Sequence, residues 1–182
     1  MNYRLFDRDG ADESNLNRLV IATEDDAAAG TLKVELAKRR ILSDRNAANV
    51  ETFPCRWQER PEPLRGCNVV FGCVDGFAER RELEVACRRH LVPLIDVGID
   101  VHIVGDEPPR MGGQVDLVGA GAAVHDLPGL PERGALAREA GQYGDADPRP
   151  QGVWPNGALV STAVGIAVDL LTSWKRSLRG AV

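Results

Sequence analysis

Acidic side chains directly follow two apolar segments of this 182-residue chain. Asp7 and Asp9 come after a short segment that begins at Tyr3, and Asp75 follows a longer apolar run. Ligands of open parallel sheets bind beyond the carboxyl ends of the strands, so these carboxylates are candidates for ligand contact. An aspartate in such a position can accept hydrogen bonds from both hydroxyls of a nucleotide ribose. Aspartate also forms turns with its own backbone, and for each residue alone this alternative stays open.

Neutral donors and cations follow Asp7 at a short distance along the chain. Ser14 and Asn15 offer donors or acceptors, and Arg18 offers a planar guanidinium that can bind two phosphate oxygens at once. Lys33 begins a predicted helix, where a cation opposes the helix dipole and needs an anion beside it. A phosphate would satisfy this need, and so would solvent around the lysine.

A regular alternation of strands and helices places these residues. Strands are predicted at residues 3–7, 50–57, 67–74, 92–97, 101–104 and 114–118, and helices at 33–49, 77–90 and 157–178. This alternation is typical of a doubly wound α/β fold. We therefore expect one domain over residues 1–182, Rossmann-like, with a mostly parallel sheet flanked by helices. Residues 119–152, rich in glycine and proline, are predicted to form a long loop with a short helical segment at 135–140.

The order of the candidate residues resembles that of a known family. The chain reads D-x-D-x-x-x-x-S-N-L-N-R from residue 7, G-x-x-K from residue 30 and C-x-D-x-x-x-x-R from residue 73. This pattern resembles the ThiF/MoeB/HesA-type adenylyltransferases, which are relatives of ubiquitin-activating enzymes. The resemblance covers residues 4 to 118 and resumes weakly in the final helix.

The resemblance implies roles for individual residues. It assigns Asp7 to the ATP ribose and Lys33 to a phosphate. It also places Asp75 and Gly76 beside the α-phosphate, with Asp75 helping to hold magnesium. The loop over the triphosphate would consist of Ser14, Asn15, Leu16, Asn17 and Arg18. Arg18, Lys33 and Asp75 would be the catalytic residues.

The resemblance also implies a reaction. In such families the C-terminal glycine carboxylate of a ubiquitin-like or sulfur-carrier protein attacks the α-phosphorus of ATP, which gives an acyl adenylate and pyrophosphate. Chemistry of this kind depends on positioning and charge neutralisation. The expected protein is therefore an adenylyltransferase that uses ATP and magnesium, without zinc, on a carrier-protein partner.

Three features of the family pattern are missing. Only six residues precede Asp7, whereas the family's first strand and its G-x-G-x-x-G turn should lie about twenty residues earlier. The 119–152 loop has no cysteine, so thiol transfer from that loop is not expected. An arginine that relatives supply from the N-terminal region of the neighbouring subunit has no counterpart.

These departures leave two interpretations of the chain. One is an N-terminally incomplete form of a longer enzyme, and the other is a sheet that is rearranged or completed by a partner. The alternative function is a catalytically silent module that keeps the fold and needs another chain for ATP chemistry. A dinucleotide oxidoreductase is disfavoured, because the glycine fingerprint of such enzymes is missing.

The composition bears on whether the protein binds nucleic acid, spans a membrane or holds a metal through its cysteines. A net charge of -5 argues against nucleic-acid binding, and no apolar run approaches the roughly 18 residues that span a bilayer. The four cysteines form no C-x-x-C pair, so they are predicted to be buried free thiols. We expect a cytoplasmic protein. The wide apolar face of the last helix predicts a homodimer.

Overall fold

The computed structural model describes residues 1–102, 110–119 and 153–172. The predicted strand residues 103–104, the helical segment 135–140 and the helix end at 173–178 lie outside the described residues. The chain divides into two compact units, Met1–Pro63 and Leu64–Val182. Each unit combines strands and helices, which confirms the predicted α/β class. A single domain over residues 1–182 stays a prediction.

The first unit is built on two parallel strands. Strand β1 (Asn2–Phe6) pairs with β2 (Asn49–Phe53), and the rings of Phe6 and Phe53 stack with their centroids 4.5 Å apart. Helix α1 (Glu24–Ala29) and helix α2 (Lys33–Asp44) lie between them in sequence. A parallel pair needs such a crossover, and α2 supplies it by packing against both strands.

The second unit contains a three-stranded sheet. Its elements are β3 (Val70–Gly72), α3 (Phe77–Arg89), β4 (Leu94–His102), β5 (Arg110–Val118) and α4 (Val153–Leu171). The strand order is β3-β4-β5, in which β3 runs parallel to β4 and β5 runs antiparallel to β4.

Helices cover both faces of this sheet at β4. Ile95 is fully buried and packs against Ala163 and Ala167 of α4. Its neighbours Leu94 and Asp96 lie on the other face, near α3. This alternation follows from the two-residue period of a strand. The charged side chain of Asp96 is therefore buried beneath α3, where it needs a partner.

Helix α4 combines a buried stripe with an exposed apolar surface. Val160 and Val164 lie one turn apart and are each 48% exposed. With 19 residues and a mean hydropathy of 1.2, α4 is long and apolar enough to cross a membrane, whereas no apolar run of this length was expected. The difference arises because serine, threonine and glycine interrupt the apolar residues without lowering the average far. A single helix of this kind is weak evidence for a membrane span, and 17% of its apolar window is buried within the protein.

Glycine residues lie at two of the differences between the predicted and the observed strands. Residues 94–102 form one strand, whereas the sequence predicts two, at 92–97 and 101–104. Strand β5 begins at Arg110 and not at residue 114, because the backbone of Gly112 and Gly113 pairs with β4. A close approach to α3 favours glycine at position 98, because a Cβ there would lie 2.5 Å from Arg80 Nη1.

Several other boundaries differ from the prediction. Strand β2 ends at Phe53, because Trp57–Glu59 turns into a 3-10 helix, and α2 ends at Asp44, before an asparagine-containing turn. Helix α1 was not predicted. All four cysteines are free, but only Cys87 is fully buried. The prediction of buried thiols was wrong for Cys73, which is exposed because it lies past the end of β3.

Candidate functional site

The turn after β1 joins Asp7, Asp9 and Lys33. An oxygen of the Asp7 carboxylate accepts the Asp9 backbone N–H at 2.9 Å, which is a turn-forming contact. The Asp9 carbonyl accepts the Lys33 backbone N–H at 2.9 Å, and the Asp9 carboxylate lies 3.2 Å from Lys33 Nζ. The anion that Lys33 needs at the start of α2 is therefore supplied by Asp9 in this structure. An ammonium group has three donors, so others remain for a ligand.

The loop of Asp12–Arg18 is organised by one carboxylate. Asp12 accepts hydrogen bonds from the Ser14 hydroxyl at 2.5 Å and from the Asn15 side-chain amide at 3.1 Å. The bond from Ser14 is the main reason that the pKa of Asp12 lies below its ordinary value. Asn15 is buried, and the Leu16 backbone closes the short 3-10 turn of Glu13–Asn15. Ser14 and Asn15 thus bond within the loop itself.

Arg18 is held by the same loop. Its Nη1 donates to the Ser14 carbonyl at 2.8 Å and to the Asn17 side-chain oxygen at 3.2 Å. The residue is half-buried, so these contacts restrain the long side chain before any ligand arrives. A guanidinium has five N–H donors, and one edge of this group stays available for an anion.

A backbone bridge joins the two segments that carry the cations. Gly10 pairs with Leu32, and the Ala11 N–H donates to the Thr31 carbonyl at 2.8 Å. A Cβ at Gly10 would lie 2.8 Å from the carbonyl oxygen of Gly30, so this close approach requires glycine. The bridge fixes the turn after β1 against the start of α2.

A buried carboxylate outside the predicted set secures this bridge. Asp26 accepts two hydrogen bonds from the Arg39 guanidinium, at 2.9 and 2.6 Å, and caps α1 through Thr23. Its own carbonyl accepts the Thr31 N–H at 2.9 Å. The Arg39 hydrogen bonds, followed by those of Thr23, hold the pKa of Asp26 well below its ordinary value. The sequence T-x-x-D is a capping signal that could have revealed α1.

Replacing Asp26 with asparagine should destabilise the fold at pH 7 and flatten its acid response. A group whose pKa is lowered by folding contributes stability above its unfolded value, 3.8 here, and loses it as the pH falls further. Urea unfolding of wild type and variant, at pH 7 and at pH 3, measures both effects. Asp25→Asn, an exposed acid in the same turn, is the control. Equal pH dependence in wild type and Asp26→Asn would contradict the prediction.

The second unit carries Asp75 and Gly76 between β3 and α3. Asp75 is exposed, and Gly76 is the N-cap of α3. A Cβ on Gly76 would meet no atom within 4 Å, so this short loop faces open space. The pKa of Cys73 is raised, first by burial of the Cys73 sulfur and then by the charges of Asp96 and Asp75, although much of this residue is exposed. Cys73 is therefore a weak nucleophile at neutral pH.

A charge cluster lies beneath α3 in the same unit. Arg80 Nε donates to an Asp96 carboxylate oxygen at 2.7 Å, and Asp116 lies opposite Asp96 across the β4–β5 pair. Burial raises the pKa of Asp96 in spite of Arg80, and the charges of Asp116 and Glu84 add to the rise. These groups line a cavity of about 20 Å³, enough for one water molecule. No cluster suited to a metal ion occurs within residues 1–102, 110–119 and 153–172.

The predicted site residues fall into two groups. Asp7, Ser14, Asn15, Arg18 and Lys33 are connected through the turns of the first unit, together with Leu16 and Asn17. Asp75 and Gly76 belong to the second unit. Their assignment to ATP stays a prediction. Sequence reasoning missed Asp12 and Asp26, and it left Asp96 between a place at the sheet edge near the nucleotide and a turn, whereas the structure pairs Asp96 with Arg80.

The comparison with protein families decides the classification. Residues 2–123 match the ThiF family, a span that contains every residue of the predicted site. The chain belongs to the ThiF family. No protein with a curated description matches it.

Solved structures with the same fold support this assignment. E. coli MccB bound to MccA-N7isoASN is 17% identical and superposes with a TM-score of 0.66 over 93% of this chain. E. coli MccB with ATP is 18% identical, with a TM-score of 0.65 over 92% of this chain. The ThiF-family chain covers 48% of each of these proteins, so it spans about half their length. At this identity the likeness establishes the fold.

Proposed function

We propose that this ThiF-family chain is the nucleotide-binding part of an ATP-dependent adenylyltransferase. Its substrate would be the C-terminal glycine of a ubiquitin-like or sulfur-carrier protein. The family match supports this proposal, as do the structures of MccB with ATP and with MccA, which it resembles in fold. The observation that carries the proposal is the turn beyond the carboxyl end of β1, where Asp9 links Asp7 to Lys33 and the following loop restrains Arg18.

The chemistry requires charge neutralisation more than covalent help from the protein. A carboxylate oxygen of the carrier protein attacks the α-phosphorus of ATP, and the bond from that phosphorus to the bridging oxygen of the β-phosphate breaks. The products are an acyl adenylate and pyrophosphate, which leaves with the bonding electrons. Arg18 and Lys33 would offset the phosphate charge, since both are restrained by hydrogen bonds before ATP binds. Asp7 would bind the ribose with the carboxylate oxygen that does not cap the turn.

The Asp75 carboxylate of the second unit is a suitable ligand for a magnesium ion that binds together with ATP. Magnesium is usually bound by one or two carboxylates together with substrate phosphates, and Asp75 offers an exposed carboxylate. The ion would neutralise phosphate charge in the reaction. We assign Asp75 to this contact and Gly76, with its open surface, to close approach of the α-phosphate.

Pyrophosphate exchange into labelled ATP tests the proposal. The full chain is assayed with magnesium and candidate carrier proteins that end in glycine, beside Asp75→Ala and the exposed control Asp44→Ala. We expect exchange in wild type and in the control, and its loss in Asp75→Ala. Equal exchange in all three would remove Asp75 from the mechanism, and no exchange in any would count against adenylation by this chain.

A second candidate is a catalytically silent module that needs a partner chain. The protein's own groups already bind several of the side chains proposed to contact ATP, which favours this alternative. They form hydrogen bonds with one oxygen of Asp7, with Ser14 and with Asn15, and an ion pair with the Lys33 ammonium. Calorimetric titration with MgATP distinguishes the two candidates. The enzyme should bind MgATP alone, whereas the silent module should release no heat.

We also propose that the protein is a cytoplasmic homodimer. Four free thiols suit a reducing compartment. The exposed apolar side chains of α4 supply a surface that a second copy could cover. A monomeric mass in light scattering at micromolar concentration would contradict the dimer.

A further inference from the structure

Arg80 ends the C-x-D-x-x-x-x-R string, and the proposed reaction gives it no role. It lies in the first turn of α3 and forms a buried ion pair with Asp96 of β4, with 11% and 7% of the two side chains exposed. Its guanidinium also lies 5.7 Å from the centre of the Phe77 ring. The pair therefore connects the start of α3 to the middle strand of the sheet.

Two glycines make room for this ion pair. A Cβ at Gly98 would lie 2.5 Å from Arg80 Nη1, and a Cβ at Gly72 would lie 2.9 Å from the Asp96 oxygen that Arg80 does not contact. Gly72 is the residue opposite Asp96 in the parallel β3–β4 register. Both approaches are too close for an alanine without a shift of the neighbouring group. The glycines at positions 72 and 98 of the sheet therefore leave space for the Arg80 and Asp96 side chains.

The loop that carries Asp75 lies between β3, which ends at Gly72, and α3, whose first turn contains Arg80. At its start, Gly72 lies against the Asp96 carboxylate. At its end, the Gly76 carbonyl accepts the Arg80 backbone N–H at 2.9 Å. Cys73, within the loop, is close enough to Asp96 and to Asp75 to respond to both charges.

We infer that Asp96 is a positioning residue, which holds the loop of residues 73–76 through Gly72 and Arg80 and thereby fixes the Asp75 carboxylate. The catalytic meaning of this role rests on the proposed function, but the positioning itself does not. Asp116 lies opposite Asp96 on β5, but the hydrogen bond and the ion pair of Arg80 go to Asp96. The carboxylate that anchors Arg80 is therefore that of Asp96.

Hydrogen exchange followed by mass spectrometry tests the positioning on the full chain without ATP. Gly98→Ala keeps every charge but displaces the Arg80 guanidinium, and Asp96→Asn removes the anchor. We expect the hydrogen-bonded amides of residues 80–84, in the first turns of α3, to exchange about tenfold faster in both variants, while those of β1 and β2 are unchanged. Gly112→Ala is the matched control, because a Cβ on this strand glycine meets no atom within 4 Å.

Two results would overturn the inference. One is exchange at residues 80–84 that matches wild type in both variants. The other is an equal acceleration throughout β3, β4 and β5, which would mean that the pair only stabilises the unit. If wild type catalyses pyrophosphate exchange, Asp96→Asn should also require more magnesium, with the carrier-protein KM unchanged. A wild type without activity would count against the proposed function and leave the hydrogen-exchange result to decide the positioning.

Discussion

Replacing Arg18 with alanine is expected to slow ATP–pyrophosphate exchange about a hundredfold. The guanidinium is restrained by the Ser14 carbonyl and the Asn17 side chain before a nucleotide binds. Donors fixed in advance are worth more in the transition state than mobile ones, and removing one typically costs about 3 kcal/mol. The backbone turn should survive, because the Arg18 N–H still donates to the Asn15 carbonyl.

Two further variants distinguish the effect of the planar donors of Arg18 from the effect of its positive charge. Arg18→Lys keeps the charge but loses the planar pair of donors, so we expect an intermediate rate. Arg45→Ala removes an exposed arginine at the end of α2 and should leave the rate unchanged. Rates for Arg18→Ala that equal those of Arg45→Ala would show that Arg18 takes no part in the reaction.

The elements that bring the site together follow from local sequence signals. The turn at Asp7 can be predicted because a short apolar strand ends in acidic residues and glycine, and the start of α2 at Lys33 follows Gly30 as expected. Both signals lie within a few residues of the feature that they specify. The family resemblance then supplies the assignment to ATP, which local signals alone leave open.

The partners of the charged residues could not be predicted in this way. Lys33 lies 24 residues from Asp9, and Arg80 lies 16 residues from Asp96, so only the folded backbone brings each pair together. The strand position of Gly98 also could not be predicted from local sequence. Local propensity marks glycine as a strand break, whereas the close approach of the Arg80 guanidinium from α3 favours glycine within β4. Tertiary contacts therefore decide the elements that the sequence leaves ambiguous.

Replacing Arg80 with methionine is expected to destabilise the fold by about 3 kcal/mol at pH 8, because removing one partner leaves a buried charge uncompensated. The loss should be smaller at pH 5. Burial raises the pKa of Asp96, whereas Arg80 lowers it, so the variant should hold a proton on Asp96 to a higher pH than wild type does. A group whose pKa is raised by folding contributes its stability below the unfolded value of 3.8 and loses it as the pH rises through the folded value.

Urea unfolding at pH 5 and pH 8 measures this difference, and a second substitution identifies its source. Adding Asp96→Asn to Arg80→Met removes the unpaired charge, so the double variant should recover most of the stability at pH 8. Asp116→Asn in the wild-type background should raise stability at pH 8, because the Asp116 charge is one of the causes of the raised Asp96 pKa. Equal losses for Arg80→Met at both pH values would show that Arg80 acts by packing and not as the counter-ion of Asp96.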